Sequence, residues 1–270
     1  MQLLFFCTRW GSEDVAWPQF CQKVKAAGYD GVETTLPLDN AERTAVVSEL
    51  KRHNLKLIAV QWDTGTPDFN AHVKEYETRL RSAATAHPLF ITTHTGRDYF
   101  SFEQNVLLLD MAQKISNETG VKIIHETHRG RFSFAAHVTK TYLDELPWLR
   151  LTLDISHWIV VSESYLENQP EAIEKTLKHA DHIHARIGYP HGAQVTDPRS
   201  PEWAEAVKKH LELWDKVVAM HRQQGTEHLT FTPEFGPPPY MQLKPFSNQP
   251  VADQWEVNEY MLNVLKNRYH

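Results

Sequence analysis

The chain has 270 residues, of which 41% are hydrophobic and 23% charged, an ordinary composition for a globular protein. Its net charge of −6 does not favour binding to polyanions such as nucleic acid. Two cysteines are too few for a disulfide framework, and no apolar run approaches the roughly 20 residues of a membrane span. We therefore expect a cytoplasmic protein with neither a nucleic-acid nor a membrane partner. These features do not determine whether it forms a homo-oligomer.

Apolar runs alternate with amphipathic segments along the whole sequence. The predicted strands cover 3–8, 31–36, 56–62, 89–95, 122–128, 150–155, 181–187 and 229–235. The predicted helices cover 14–27, 40–53, 70–86, 102–120, 134–145, 167–179, 202–223 and 253–268. Alternating strands and helices favour right-handed crossovers and a parallel sheet.

Eight strand–helix units in about 250 residues match the size of a (β/α)8 barrel. An open, doubly wound sheet is the rival architecture, but no Gly-x-Gly-x-x-Gly follows the first strand to support it. No linker or domain boundary is visible. We predict an α/β fold made of one (β/α)8 TIM barrel over 1–270.

The long loops 188–201 and 236–240 follow the last two strands and are candidates for the rim of an active face. Alternatively, their prolines simply stiffen two long connections.

Four successive predicted strands end in ionisable side chains, namely Glu126, Asp154, His184 and Glu234. The carboxyl ends of barrel strands share one face, and neighbouring strands lie about 4.8 Å apart, so the four can converge on one ion. Three carboxylates and an imidazole suit one divalent metal ion (Mn²⁺, Zn²⁺, Co²⁺ or Mg²⁺). The alternative is four separate charges held by Lys or Arg partners.

Other polar residues near the strand ends are candidates for substrate binding: His157, Arg186, His94, His128, Glu33 and Gln61. His157 lies three residues after Asp154, so both can face one cavity, although a capping or packing role is the alternative. By strand alternation Arg186 shares the face of His184, where it binds either a substrate or a neighbouring acid. By the same alternation His128, and not His125, shares the face of Glu126.

Five segments carry a resemblance to a known family: Gly-Tyr-Asp-Gly-Val-Glu33, His-Glu126-Thr-His, Leu-Asp154-Ile-Ser-His157, His-Ile-His184-Ala-Arg and Thr-Pro-Glu234-Phe-Gly. In this order and spacing the chain resembles the xylose isomerase-like barrel superfamily over nearly its whole length. That superfamily contains sugar isomerases and epimerases together with endonuclease IV. In its ketose epimerases the Glu, Asp, His and Glu positions hold one divalent ion, and the two metal-bound glutamates exchange a proton with the sugar carbon. The resemblance thus implies that Glu126 and Glu234 are catalytic.

The expected enzyme is a divalent-metal-dependent sugar isomerase or epimerase. It would act on a ketose or a related polyhydroxy carbonyl compound by proton transfer through a metal-stabilised enediolate. Dehydratases of the superfamily use a similar metal set on cyclic polyols or keto acids. Arg129, Arg131 and Arg199 could select a carboxylate or phosphate, which keeps a keto-acid substrate open.

Two other functions compete with this interpretation. An endonuclease IV-like enzyme needs three zinc ions. Gln61 stands where a third-strand histidine is expected, and Asp197-Pro-Arg199 stands where an Asp-x-His pair is expected. Arginine stays protonated and is no metal ligand here. A barrel that binds a sugar without turnover is the non-catalytic alternative.

Overall fold

The computed structural model describes residues 1–269. Its eight strands are β1 (Gln2–Thr8), β2 (Gly31–Thr35), β3 (Lys56–Gln61), β4 (Ile91–Thr93), β5 (Ile123–Glu126), β6 (Leu151–Leu153), β7 (Ala180–His184) and β8 (His228–Thr232). The α-helices are α1 (Trp17–Ala26), α2 (Asn40–Arg52), α3 (Phe69–Ala84), α4 (Phe102–Thr119), α5 (Ala136–Glu145), α6 (Ser156–Ser162), α7 (Pro170–Leu177), α8 (Ala204–Gln224) and α9 (Gln254–Tyr269). A short 3₁₀ helix, Pro201–Trp203, precedes α8.

The strands close into one parallel barrel in sequence order, and β8 pairs with β1. This arrangement confirms the predicted TIM barrel. β1 ends at Thr8 as predicted, whereas β2–β8 end one to three residues earlier than predicted, because pairing with the neighbouring strands stops there. The largest differences are at β7, which ends at His184 and not at residue 187, and at β8, which ends at Thr232 and not at residue 235. Among residues 1–269, none of the helices combines the length and apolar character required to span a bilayer.

Strand alternation sorts the side chains between the barrel interior and the helix layer. Leu4 and Phe6 point inward and pack with apolar residues from β3 and β5, whereas Phe5 packs outward with the helices. Gly31 lies opposite Phe6 across the β1–β2 pair, and a Cβ at Gly31 would lie 2.5 Å from the Phe6 ring. A glycine is therefore needed where the Phe6 ring fills the barrel interior. The apolar plug lies toward the amino ends of the strands and leaves the carboxyl ends for polar side chains.

One helix was not predicted. Helix α6 begins at Ser156, separated from the end of β6 by two residues, in a segment for which no helix was predicted. The carboxylate of Asp154 accepts hydrogen bonds from the backbone amide and the hydroxyl of Ser156, at 3.0 and 2.6 Å. This contact lies at the start of the helix, and His157 falls in the first turn.

Candidate metal centre

The four residues predicted as metal ligands meet at the carboxyl-terminal mouth of the barrel. One ligand atom from each of Glu126, Asp154, His184 and Glu234 lies within 4.8 Å of the others. Glu126 and His184 end β5 and β7, while Asp154 and Glu234 follow β6 and β8. The first three are buried and Glu234 is half-buried, so the cluster lies at the bottom of an open mouth.

The orientation of the His184 ring is determined by the carboxylate of Glu33 on β2. Its Nε2 donates to Glu33 Oε1 at 2.9 Å, in the tautomer that leaves the Nδ1 lone pair free. That Nδ1 lies 3.0 Å from Glu234 Oε2 and 3.6 Å from Glu126 Oε1. Within residues 1–269, His184 Nδ1 and Glu234 Oε2 are buried atoms without a hydrogen-bond partner.

Two facing buried acceptors are costly unless a proton or a cation lies between them. Burial lowers the pKa of His184, but the charge of Glu234 and the other surrounding carboxylates outweighs burial and raises that pKa well above its ordinary value. In the protein alone, a proton on His184 balances the negative charge of the surrounding carboxylates. A divalent cation would balance the same charge with neutral His184 as a ligand, so these residues fit a metal.

Asp154 is held by two sets of donors. Its Oδ1 accepts from Ser156, and its Oδ2 accepts from Nη2 of Arg186. Burial raises the pKa of Asp154, and the charge of Arg186 only partly offsets this effect, so its pKa stays above the ordinary value. Each carboxylate oxygen has two lone pairs, which leaves Oδ2 able to bind an ion while it accepts from Arg186. Arg186 also donates toward His157 Nε2 at 2.9 Å and lies 3.6 Å from Glu234.

Three imidazoles line one side of the mouth. His94 Nε2 lies 2.7 Å from Glu126 Oε2, and the ring centroids of His94 and His128 are 4.4 Å apart. The His128 and His157 centroids are 3.8 Å apart. Burial lowers the pKa of both His128 and His157 well below the ordinary value, so these two rings are neutral near pH 7. His94, His128 and Glu126 form a second group with the spacing of a metal site.

Glu33 lies beneath the mouth and is fully engaged by the protein. Its oxygens accept from His184, from His182 at 3.3 Å, and from the hydroxyl of Thr232. A substrate contact by Glu33 stays a prediction, and the observed contacts favour a supporting role under His184.

Gln61 is similarly occupied at the end of β3. Its amide donates to Thr64 at 2.6 Å, and its oxygen accepts from Thr93 at 2.6 Å. The side chain is 1% exposed. Its substrate contact also stays a prediction, while the geometry shows it tying β3 to β4.

The two rim loops contact each other. The Gln194 amide, in the loop after β7, donates to the Gly236 carbonyl at 3.2 Å, and its oxygen accepts from the Gly236 amide at 2.8 Å. Gly236 packs on the ring of Trp10, which a Cβ would approach to 2.2 Å. The glycine therefore lets the loop after β8 lie against the loop after β1.

Sequence reasoning singled out neither Trp10 nor Tyr240, and both lie at the rim. Their ring centroids are 5.1 Å apart in an edge-to-face arrangement. The guanidinium carbons of Arg186 and Arg129 lie 4.6 and 5.0 Å from the Tyr240 centroid. The only signal in the sequence was the position of Tyr240 in a loop already marked as a rim candidate.

Residues 21–201, about two thirds of the chain, match the model of a family described as "Xylose isomerase-like TIM barrel". The chain belongs to this xylose isomerase-like family. The family predicted from the five segments is thereby confirmed. No curated protein matches the sequence significantly.

Solved structures show the same fold at low sequence identity. The 3-keto-D-glucoside 4-epimerase YcjR from E. coli is 14% identical over 98% of this chain and 100% of its own, with a TM-score of 0.64. A probable 3-DHS dehydratase, AsbF from Bacillus anthracis, is 16% identical over 99% of this chain and 100% of its own, with a TM-score of 0.65. Endonuclease IV from Thermus thermophilus is 12% identical over 99% of this chain and 98% of its own, with a TM-score of 0.59.

This xylose isomerase-like protein therefore belongs to a superfamily of enzymes and carries a buried cluster of histidine and carboxylate side chains, the kind of metal site typical of the superfamily. The similarity to epimerases, dehydratases and nucleases alike does not distinguish among these activities.

Proposed function

We propose that this protein is a divalent-metal-dependent isomerase or epimerase of a ketose or a related polyhydroxy carbonyl compound. The observation that carries the proposal is the pair of glutamates on either side of His184. The carboxylates of Glu126 and Glu234 lie 3.6 and 3.0 Å from the same imidazole nitrogen, and Glu234 Oε2 has no hydrogen-bond partner in residues 1–269.

The residues proposed to hold the ion are Glu126, Asp154, His184 and Glu234. When bound, a divalent ion polarises a substrate carbonyl and stabilises the negative charge that develops on its oxygen. Oxygen and imidazole ligands suit Mn²⁺, Zn²⁺, Co²⁺ and Mg²⁺, and the chain offers no thiolate at the mouth to narrow the choice.

The two glutamates act as the bases. Burial raises the pKa of Glu126, but the charges of His94 and His184 outweigh it and hold that pKa well below the ordinary value. Glu126 is therefore ionised at neutral pH. Glu234 presents its unpartnered oxygen from the other side. Two carboxylates flanking one carbon can remove its proton from one face and return it to the other, or to the neighbouring carbon.

The surrounding polar groups orient the substrate. Neutral His128 and His157 can each exchange hydrogen bonds with a hydroxyl, while Arg186 offers a fixed positive charge beside Glu234. His94 holds Glu126 through its 2.7 Å contact and can carry a proton to or from that carboxylate. His94, His128, His157 and Arg186 contact one another in this order, so these predicted substrate-binding residues line one side of the mouth.

A dehydratase is the second candidate. Loss of a hydroxyl from the carbon β to a carbonyl begins with the same removal of a proton from the α carbon. The adjacent imidazoles of His94 and His128 lie where one of them could donate the proton with which the hydroxyl leaves as water. The similarity to the probable 3-DHS dehydratase supports this reaction as much as the similarity to the epimerase supports the first.

The nuclease has less support. Gln61 is tied to two threonines, and Arg199 donates to Asp197 at 2.7 Å. Both residues stand where an endonuclease IV-like site needs further zinc ligands, and neither is free to bind an ion.

Elemental analysis of protein purified without chelator tests the metal. We expect about one divalent ion per wild-type chain and its loss in Asp154→Ala. Asp144→Ala, at an exposed position of α5, serves as the matched control and should retain the ion. Two or three zinc ions per chain would favour the nuclease, and no ion after incubation with Mn²⁺ or Zn²⁺ would overturn the proposal.

Deuterium incorporation from D₂O into ketoses and keto acids tests the chemistry. Exchange of a carbon-bound proton without loss of hydroxyl indicates isomerisation or epimerisation, while exchange accompanied by loss of water indicates the dehydratase. If the protein holds one ion but exchanges no proton in any ketose or keto acid tested, the non-catalytic alternative, a barrel that binds a sugar without turnover, would be favoured.

A further inference from the structure

Five arginines follow the carboxyl ends of β4, β5 and β7: Arg97, Arg129, Arg131, Arg186 and Arg199. Four of them are committed to the protein. Arg131 donates to four backbone carbonyls, among them those of Trp62 at 2.9 Å and Thr64 at 3.1 Å. Arg97 donates to the Gly65 carbonyl at 2.8 Å. These two guanidiniums hold loops together through their Nη atoms, and Nε of Arg97 is buried without a hydrogen-bond partner in residues 1–269.

The other two committed arginines neutralise carboxylates. Arg186 donates to Asp154, and Arg199 donates to Asp197 and lies 3.6 Å from Glu256. Arg199 is therefore a surface ion pair and not part of the mouth, although the sequence left it open as an anion-selecting residue.

Arg129 differs from all four. Its guanidinium makes no hydrogen bond and no ion pair with any residue in 1–269, although the side chain is half-buried. Its placement comes from stacking, with the guanidinium carbon 5.0 Å from the centroid of the Tyr240 ring. A half-buried arginine with all its donors free is suited to bind an anion.

Tyr240 places this free charge beside the reacting groups. Its ring lies 6.4 Å from that of His157 and 4.6 Å from the guanidinium carbon of Arg186. The Tyr240 hydroxyl makes no hydrogen bond with another residue described in the structure. Arg129 and Tyr240 thus present unused donors on one side of the mouth, next to the proposed proton-transfer site.

We propose that the substrate of this site carries a carboxylate, which Arg129 binds with the Tyr240 hydroxyl as second donor. This inference rests on the proposed function and specifies its substrate class: a sugar acid or keto acid, and not a neutral sugar. The reacting carbonyl would point toward Glu234 while the acid group stays at the rim.

A phosphate would fit these residues less well. In TIM barrels a phosphate is commonly bound by backbone amides of the loops after the seventh and eighth strands. Here Pro237, Pro238 and Pro239 have no N–H to offer, and the Gly236 amide already donates to Gln194. Arg199, the arginine of the loop 188–201, is paired with Asp197. One free guanidinium matches a single negative charge.

Equilibrium binding to metal-loaded protein tests the inference with three probes that differ at one carbon: D-glucose, D-glucuronate and D-glucose 6-phosphate. We expect the wild type to bind the glucuronate at least about tenfold more tightly than glucose, the contribution of roughly one charged hydrogen bond. Arg129→Met should abolish this preference and Arg129→Lys should partly restore it. Tyr240→Phe should reduce it. The matched control Arg199→Met should leave it unchanged.

Metal content is measured on the same samples, so that failure of this inference can be separated from failure of the proposed function. If the protein holds one ion per chain but does not prefer the glucuronate, or binds none of the probes, the proposed carboxylate is wrong while the proposed function stands. The proposed carboxylate is also wrong if Arg129→Met keeps the preference, or if glucose 6-phosphate binds tenfold more tightly than the glucuronate. Absence of the ion would instead contradict the proposed function.

Discussion

The two halves of the barrel carry buried polar side chains that are satisfied in different ways. In β1–β4 the polar groups at the strand ends bond to the protein: Glu33 to two histidines and a threonine, and Gln61 to two threonines. In β5–β8, and just beyond them, His184 Nδ1 and Glu234 Oε2 face each other without a hydrogen-bond partner in residues 1–269. Two unpaired buried acceptors that face each other beside the carboxylates of Glu126 and Asp154 fit a bound cation. The proposed function therefore places metal binding and proton transfer in the second half, with His94 as the contribution of the first half to the mouth, while Glu33 and Gln61 support the site.

Replacing a base in the reacting half should have the largest effect. We expect Glu234→Gln to keep the fold and to reduce carbon–hydrogen exchange in D₂O by at least about a hundredfold, because an amide cannot accept the proton. Circular dichroism checks the fold, and mass spectrometry of the recovered substrate measures the exchange. Glu227→Gln, exposed just before β8, is the matched control. Exchange at the wild-type rate in Glu234→Gln would remove Glu234 from the mechanism.

Replacing the residue that joins the two halves should affect metal binding. Glu33 holds His184 with Nδ1 toward the carboxylates, and loss of its charge weakens that imidazole as a ligand. We expect Glu33→Gln to lower the affinity for Mn²⁺ by about 10–100-fold, measured by competition with a chromophoric chelator. Glu49→Gln removes another buried glutamate that contacts a histidine, His53 at 3.0 Å, but it lies far from the mouth on α2. Equal affinity in both variants would show that Glu33 does not support the metal centre.

A change confined to the supporting half should cost stability and leave the metal in place. Gln61→Leu removes the partner of the Thr64 hydroxyl and leaves the Thr93 hydroxyl only its longer 3.4 Å contact with Tyr76, so we expect the free energy of unfolding to fall by about 1–3 kcal/mol. Urea denaturation measures this loss, and elemental analysis should still find the ion. Gln113→Leu, which removes an exposed amide hydrogen bond on α4, should change stability by less than about 0.5 kcal/mol. Loss of the ion in Gln61→Leu would mean that Gln61 belongs to the reacting half.

The smallest expected effect lies at the opposite end of the barrel from the mouth, near the start of β7. Burial raises the pKa of Asp181, but the hydrogen bond from Arg150 and the charge of Lys122 outweigh it, and the pKa is lowered. A depressed pKa contributes stability above the unfolded value, and that stability is lost as pH falls through the folded value. We expect Asp181→Asn to cost about 1 kcal/mol at pH 7.

The acid dependence of Asp181→Asn distinguishes an ion pair from simple packing. The stability difference from wild type should shrink as pH falls below about 4, where Asp181 of the unfolded chain is protonated. Thermal unfolding at pH 7 and pH 3 measures it, with the same metal content in both proteins. A difference that stays constant across this range would contradict the assigned role of the charge.

The sequence by itself determined the architecture and the identity of the cluster. Strand and helix periodicities indicated eight units, because burial on two faces makes a parallel strand apolar, so that a charged residue at its end stands out. For the same reason Glu126, Asp154, His184 and Glu234 could be chosen from the 16 histidines and 34 acidic residues of the chain. Strand alternation correctly predicted that His128, and not His125, lies on the same side as Glu126. The ring of His125 turns instead toward Phe132.

Only the tertiary structure decided which polar residues are free and which are already engaged. Glu33 and Gln61 end strands as Glu126 does, yet their partners come from residues distant in sequence, such as His184 for Glu33. Arg129, Arg131 and Arg199 look alike in the sequence, and they differ only in whether a carbonyl, a carboxylate or a tyrosine ring lies next to the guanidinium. Local periodicity specifies the face on which a side chain lies, whereas its partner depends on closure of the barrel, which brings β1 to β8 and Trp10 to Tyr240.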